Sequence, residues 1–166
     1  MKYIRIGKIV NTHGVKGELR LISDFQYKDK VFKKDFLIYI GKDKIEEKIN
    51  TYRKHKMFDM ITLYGYTNIN EVLKYKGSYA FINKEDLILN NNEFLNEDLI
   101  GFRVIYNNLE NIEVVGIEKY PSSDMLKVNY NDTFKLIPIT DGIIETIDFS
   151  KKEIVLKDIK GLIEWQ

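Results

Sequence analysis

Apolar and polar residues alternate along most of this chain, and Gly, Asn, Asp and Ser interrupt the alternation at short intervals. A period of two is the spacing of a strand with one buried face. The pattern therefore commits the chain to short strands folded back on one another, as an antiparallel barrel or sandwich. "YIRIGKIV" sets Ile4 and Ile6 on one face, and "GELRL" sets Leu19 and Leu21 together with Glu18 and Arg20 opposite. Further strands are predicted in "FLIYI" (36–40), "KIEEKINTYRK" (44–54), "MFDMITLYGY" (57–66) and "SYAFI" (78–82). One helical exception is predicted at 67–77, "TNINEVLKYKG". Asn68 or Asn70 would cap it, Val72 and Leu73 would face inward, and Gly77 stands where a helix C-terminus takes a left-handed residue.

The run Asn90-Asn91-Asn92 interrupts two apolar groups and is the expected domain boundary, since boundaries fall in exposed polar links. Beyond it the strand pattern restarts in "FRVIY" (102–106), "IEVVGIEKY" (112–120), "DMLKVNY" (124–130), "TFKLIPI" (133–139), "IIETIDF" (143–149) and "KEIVLKD" (152–158). The resulting division is a first β domain over 1–86, a linker over 87–96 and a second β domain over 97–166. The second is close to the lower size limit for independent folding.

Composition narrows the chemistry. The chain has no cysteine, which removes disulfides, thiolate catalysis and cysteine-bound zinc. No apolar run approaches the ~18 residues of a membrane span, and the N-terminal residues lack the apolar centre of a secretion signal, so a cytoplasmic location is expected. Net charge is +1, yet residues 1–56 hold 15 Lys and Arg against 7 Asp and Glu, while the remainder holds 11 against 18. A basic half suits nucleic-acid phosphates, and an acidic half suits a basic protein. Scatter over a solvated surface would give the same totals.

The only two histidines are His13 and His55. They share no short helical or hairpin spacing of the kind that holds a metal, and a triad would need a nucleophile and a carboxylate converging on one of them. "HGVKG" matches neither a P-loop nor a dinucleotide fingerprint. Gly14 and Gly17 instead allow a tight reversal that would leave His13 and Lys16 on an exposed tip, free to touch a phosphate or to be solvated. The carboxylate pairs Glu46-Glu47 and Glu97-Asp98 are neighbours in sequence and would point to opposite faces of a strand, which is poor geometry for acid–base work.

Several motifs in order carry a family resemblance: "IGKIVNTHGVKGELRL", "YRKHKMFDMITLYGYTNINEVLKYKGSYAFI", "EDLIGFRV", "PSSDMLKV", "KLIPIT" and "IDFSKKEIVLKDIKGLIE". Together they span nearly the whole chain, which resembles the RimM family of ribosome maturation factors. The resemblance implies an all-β chain of two small barrels, a six-stranded N-terminal barrel similar to those of translation factors and a C-terminal PRC barrel. It further implies a monomeric, non-enzymatic factor without cofactor or metal. Such a factor binds the immature small ribosomal subunit near its head, through ribosomal RNA and the basic nineteenth protein of that subunit, and assists 16S rRNA processing.

Many family members carry a Tyr-Tyr pair ahead of the Asp-Leu-Ile-Gly motif, implicated in binding the ribosomal protein. Phe94 and Leu95 stand there in this chain, keeping apolar area and losing both hydroxyls. Phe94, Leu95 and Asp98 are thus the expected protein contacts, with packing of the linker as the competing role for the first two. His13, Lys16, Arg20, Arg53, Lys54 and Lys56 are the candidates for RNA. Two other classes stay open at this stage: a small hydrolase using His13 or His55, and a PRC-type adaptor, which would leave the N-terminal half unexplained.

Overall fold

The computed structural model describes residues 1–158, and its contacts divide into two units, Met1–Asn91 and Asn92 onward. Ile159–Glu164 of the closing motif lie outside the described residues. The protein is all-β, built from two six-stranded sheets with only short helical turns. No helix among the described residues is long and apolar enough to cross a membrane.

The first unit is a closed barrel of order β1-β2-β5-β4-β3-β6. Its strands are β1 (Tyr3–His13), β2 (Glu18–Ile22), β3 (Leu37–Ile40), β4 (Ile45–His55), β5 (Phe58–Leu63) and β6 (Tyr79–Asn83). Closure removes every free sheet edge. Leu19 and Leu21 both enter the core, with Ile38, Ile40, Ile49, Ile61, Leu63, Ala80 and Ile82 from the other strands. Alternation breaks in β1, where Ile6 and Ile9 are both buried although three residues apart. Two register shifts, between Arg5 and Gly7 and between Ile9 and Asn11, reset the pleat there. Such bulges bend the strand enough to close a small barrel.

Two short helices plug the barrel: α1 (Lys28–Val31), which the apolar pattern did not announce, and α2 (Ile69–Val72), continued by a 3₁₀ turn at Leu73–Tyr75. Asn68 caps α2 in a capping box, its side chain accepting from the Glu71 amide while the Glu71 carboxylate accepts from the Asn68 amide. Val72 is buried as expected, but Leu73 is 47% exposed. The 3₁₀ turn rotates the inward position to Tyr75, which lies in the core and donates its hydroxyl to Glu47 at 2.6 Å. Burial, then this hydrogen bond, pushes that phenol well above its ordinary range.

The second unit is a six-stranded sheet of order β10-β9-β8-β7-β12-β11. Its strands are β7 (Arg103–Tyr106), β8 (Leu109–Lys119), β9 (Asp124–Tyr130), β10 (Thr133–Pro138), β11 (Ile144–Asp148) and β12 (Glu153–Leu156). All pairs are antiparallel except β12 with β7. The end strands β10 and β11 are not ladder partners, yet Ile137 of one and Ile144 and Ile147 of the other share a single core with Leu126, Val128 and Ile154. The sheet is therefore curled around its apolar face. A short turn links β10 to β11, with Ile144 donating to the Thr140 carbonyl.

A candidate cationic face

β2, β5 and β4 lie side by side in the first barrel, and their ladders put Arg20 opposite Met60 and Met60 opposite Arg53. Leu19 and Ile61, one position away, point into the core, so these three residues share the outer face. Met60 is nevertheless 0% exposed while lying outside the barrel core cluster. An outward methionine with no access to solvent is a small second core, roofed by the long side chains around it.

The roof is cationic and aromatic. Arg20 lies with its guanidinium carbon 4.7 Å from the Phe58 ring centroid and donates from one terminal nitrogen to His13 Nδ1 at 2.9 Å. A guanidinium only donates, so Arg20 is the donor in this contact and His13 Nδ1 the acceptor. His13 and His55 stand with ring centroids 6.0 Å apart. Arg53 grips Glu18 through two parallel hydrogen bonds at 2.9 and 2.7 Å. That fork, together with the nearby His13 and His55, holds the Glu18 carboxyl below the usual range despite some desolvation.

The two histidines, which share no motif spacing in sequence, are thus brought together by the register of two hairpins. No group of three or more His, Asp or Glu that could hold a metal ion occurs among the described residues. Glu18, paired with His13 in the β1–β2 ladder, is already committed to Arg53.

His55 is held below its ordinary value of 6.5, by desolvation first and then by nearby cations, Arg53 and Lys56 foremost. The folded state therefore binds this proton less readily than the unfolded chain. The resulting stability is present above the ordinary histidine range and is lost as pH falls through it. An NMR titration of the imidazole resonances should place the His55 midpoint below 6.5, and Arg53→Ala should move it upward. A His55 midpoint unmoved by that change would deny the electrostatic coupling.

Of the remaining sequence candidates, Lys54 does not join this face. Lys54 points the other way, toward Asp59 at 3.7 Å. Asp59 is a buried carboxylate held by Lys28 Nζ at 2.8 Å and by the Tyr52 hydroxyl at 2.6 Å. Burial and this bond push the Tyr52 phenol up to about 12. Because β2 and β5 are antiparallel, Lys16 in the β1–β2 turn and Lys56 in the β4–β5 turn lie at opposite ends of their ladder. Phe58, Met60 and Glu18 are part of the face without having been singled out. The signal available was Met60, an apolar residue two positions from Phe58 on the strand face opposite Ile61 and Leu63.

In the second unit, Leu95 is only 5% exposed, so its side chain offers almost no surface to a partner. Phe94 packs against that unit's core, 5.6 Å from the Phe149 ring. Asp98 is exposed, in a 3₁₀ turn spanning Asn96–Leu99, so the Glu97-Asp98 pair is not on a strand as the alternation argument assumed. Glu46 and Glu47 do diverge, one accepting from Tyr39 and the other from the core residue Tyr75.

Fold and site together define a two-domain all-β protein whose first barrel carries a cationic outer face. The N-terminal domain model of the RimM family matches residues 4–87. The ribosome maturation factor RimM of Bacillus cytotoxicus is 32% identical over 98% of this chain and 99% of its own. The RimM of Bacillus mycoides is 34% identical over the same shares. Among solved structures, the N-terminal domain of RimM from Thermus thermophilus aligns with 54% of this chain and 98% of its own, at 17% identity and a TM-score of 0.46. The chain belongs to the RimM family of ribosome maturation factors.

Proposed function

We propose that this chain acts in 16S rRNA processing and small-subunit assembly as a non-enzymatic binding factor with two oppositely charged surfaces. The observation that carries the reading is the Met60-backed face, where Arg20 and Arg53 are held in fixed positions by Phe58, His13 and Glu18. A pre-ordered cationic surface loses little entropy on meeting a phosphate backbone. Residues 1–91 hold 18 Lys and Arg against 11 Asp and Glu, whereas residues 92–166 hold 8 against 14. The first unit therefore meets ribosomal RNA near the head of the immature subunit, and the acidic second unit meets a basic head protein, the nineteenth of the small subunit. Preference for a native-like arrangement of the head shifts the RNA's folding population by differential affinity, with no bond chemistry needed.

Phe94 is the anchor proposed for the protein contact, with Asp98 four positions further on and Leu95 acting by packing. Phe94→Ala should weaken binding of the full chain to the isolated ribosomal protein by about 2 kcal/mol, measured calorimetrically on a variant with an unchanged circular dichroism spectrum. Unchanged affinity would assign Phe94 to packing alone. The reading as a whole is tested by sedimenting the chain with precursor small subunits across a salt series. The logarithm of affinity should fall linearly with that of salt, with a slope of about −0.7 to −0.9 per phosphate contacted. A flat response removes the phosphate half of the account.

A further inference from the structure

A second cationic surface lies on the barrel wall formed by β1, β6 and β3, and its character differs from that of the Met60 face. Ala80 and Ile82 of β6 enter the core, which leaves Tyr79 and Phe81 on the outer side. Their ladder partners add Arg5, Lys8 and Tyr39. Tyr79 is 42% exposed and stands between two clefts. One, of about 300 Å³, is lined by Arg5, Lys8 and Asp24; the other, of about 440 Å³, is lined by Lys42, Lys44, Ser78 and Phe81.

Every exposed ring here is met by a cation. The Arg5 guanidinium lies 4.6 Å from the Tyr79 centroid and Lys8 Nζ 5.5 Å from it. Lys44 Nζ lies 4.2 Å from the centroid of Phe81 and 5.6 Å from that of Tyr3. Of the acids nearby, Glu46 accepts from the Tyr39 hydroxyl, which also feels Asp86, Asp43 sits at the tip of the β3–β4 turn outside the larger cleft, and Asp24 lines the smaller cleft, where two cations, Arg5 and Lys8, outnumber it.

We propose that this wall takes an unpaired RNA segment, with one base stacked on Tyr79 in the larger cleft and the flanking phosphates met by Lys42 and Lys44 on one side and by Arg5 and Lys8 on the other. Aromatic rings on a strand surface, interleaved with cations, are how small β-domains hold single strands. Duplex bases are stacked inside the helix and cannot reach such rings. The cleft volume falls within the range of sites that enclose small organic groups. The inference rests on the reading that the first barrel meets RNA, and it adds that the barrel distinguishes unpaired from paired RNA through a face other than the one around Met60.

The test uses the full chain, fluorescein-labelled oligouridylate as the single-stranded probe, and an RNA duplex of equal length, read by anisotropy at low salt. Tyr79→Ala should weaken oligouridylate binding by about tenfold or more while leaving duplex binding within twofold, and Tyr79→Trp should restore it. Lys44→Ala should weaken the single strand by several-fold. Equal losses for both probes would overturn the stacking proposal. So would unchanged oligouridylate binding in a Tyr79→Ala chain of wild-type circular dichroism. If the unaltered chain binds neither probe, the RNA reading of the barrel fails, and this proposal with it. Loss of oligouridylate binding in Tyr79→Trp as well as Tyr79→Ala, both folded, would also count against a stacking role.

Discussion

Replacing Arg20 and Arg53 together with alanine is expected to weaken binding to precursor 16S RNA by about 2 kcal/mol, roughly 1 kcal/mol for each lost cation, and to reduce the log–log salt slope by about 1.4 to 1.8. The expectation follows from how these two side chains are held. Arg20 is fixed by the Phe58 ring and His13, and Arg53 by the Glu18 fork, so neither has to be ordered when RNA arrives. The fork joins a half-exposed Arg53 to Glu18 near the surface, where ion pairs add little to the fold. Removing it should therefore leave stability nearly intact. The lysine pair, Arg20→Lys with Arg53→Lys, keeps charge but loses the planar fork. It should retain most of the slope while binding more weakly than the native chain. A double-alanine variant with native melting behaviour and an unchanged slope would move the RNA surface away from this face.

Gly17→Ala is expected to cost about 3 kcal/mol, against about 1 kcal/mol for Gly14→Ala three residues earlier. Both glycines have positive φ, +71° at Gly14 and +87° at Gly17, so both changes carry the left-handed penalty. Only Gly17 is also crowded. A Cβ there would come 2.9 Å from the carbonyl oxygen of Asn68, whereas nothing lies within 4 Å of the corresponding point on Gly14. Asn68 is the residue that caps α2, and Val15 accepts a hydrogen bond from Ile69 at 3.0 Å. The β1–β2 turn is therefore docked onto the start of α2. Displacing it should disturb the cap, the buried Val72 and the hairpin register that sets His13 against Arg20. Urea unfolding of the two variants checks the difference. Equal losses would mean that the close approach relaxes without cost.

The same turn shows how much was readable in advance. "HGVKG" was interpretable as a glycine-dependent reversal because glycine chemistry is local. That the reversal docks on Asn68, some fifty positions later in the chain, is a tertiary fact without a local signature. Strand positions were legible throughout because one-sided burial enforces a period of two, and Leu19 and Leu21 obey it. Ile9 does not, because bulges in β1 shift the pleat and hydrophobic spacing alone carries no mark of a bulge. Leu73 was misassigned inward because a 3.6-residue period was assumed where the chain tightens to a 3₁₀ turn, which hands the buried place to Tyr75.

The site was legible only in part. Arg20 and Arg53 could be named as cations, but their convergence depends on the β2–β5–β4 ladder order, as does the pairing of His13 with His55. Lys54 is a candidate of the same basic half. The pleat turns it to the other side, where Asp59 takes it. Leu95 was a candidate contact by position in a motif, and its side chain is almost fully buried.

On the proposed function, this chain works by adhesion to an unfinished small subunit. The most direct measurement is affinity purification of the full-length chain from growing cells at low salt, followed by mapping the ends of the 16S RNA that comes with it. Enrichment of unprocessed 16S ends over mature ones is the predicted result. Recovery of mature subunits alone, or of no ribosomal RNA, would contradict it.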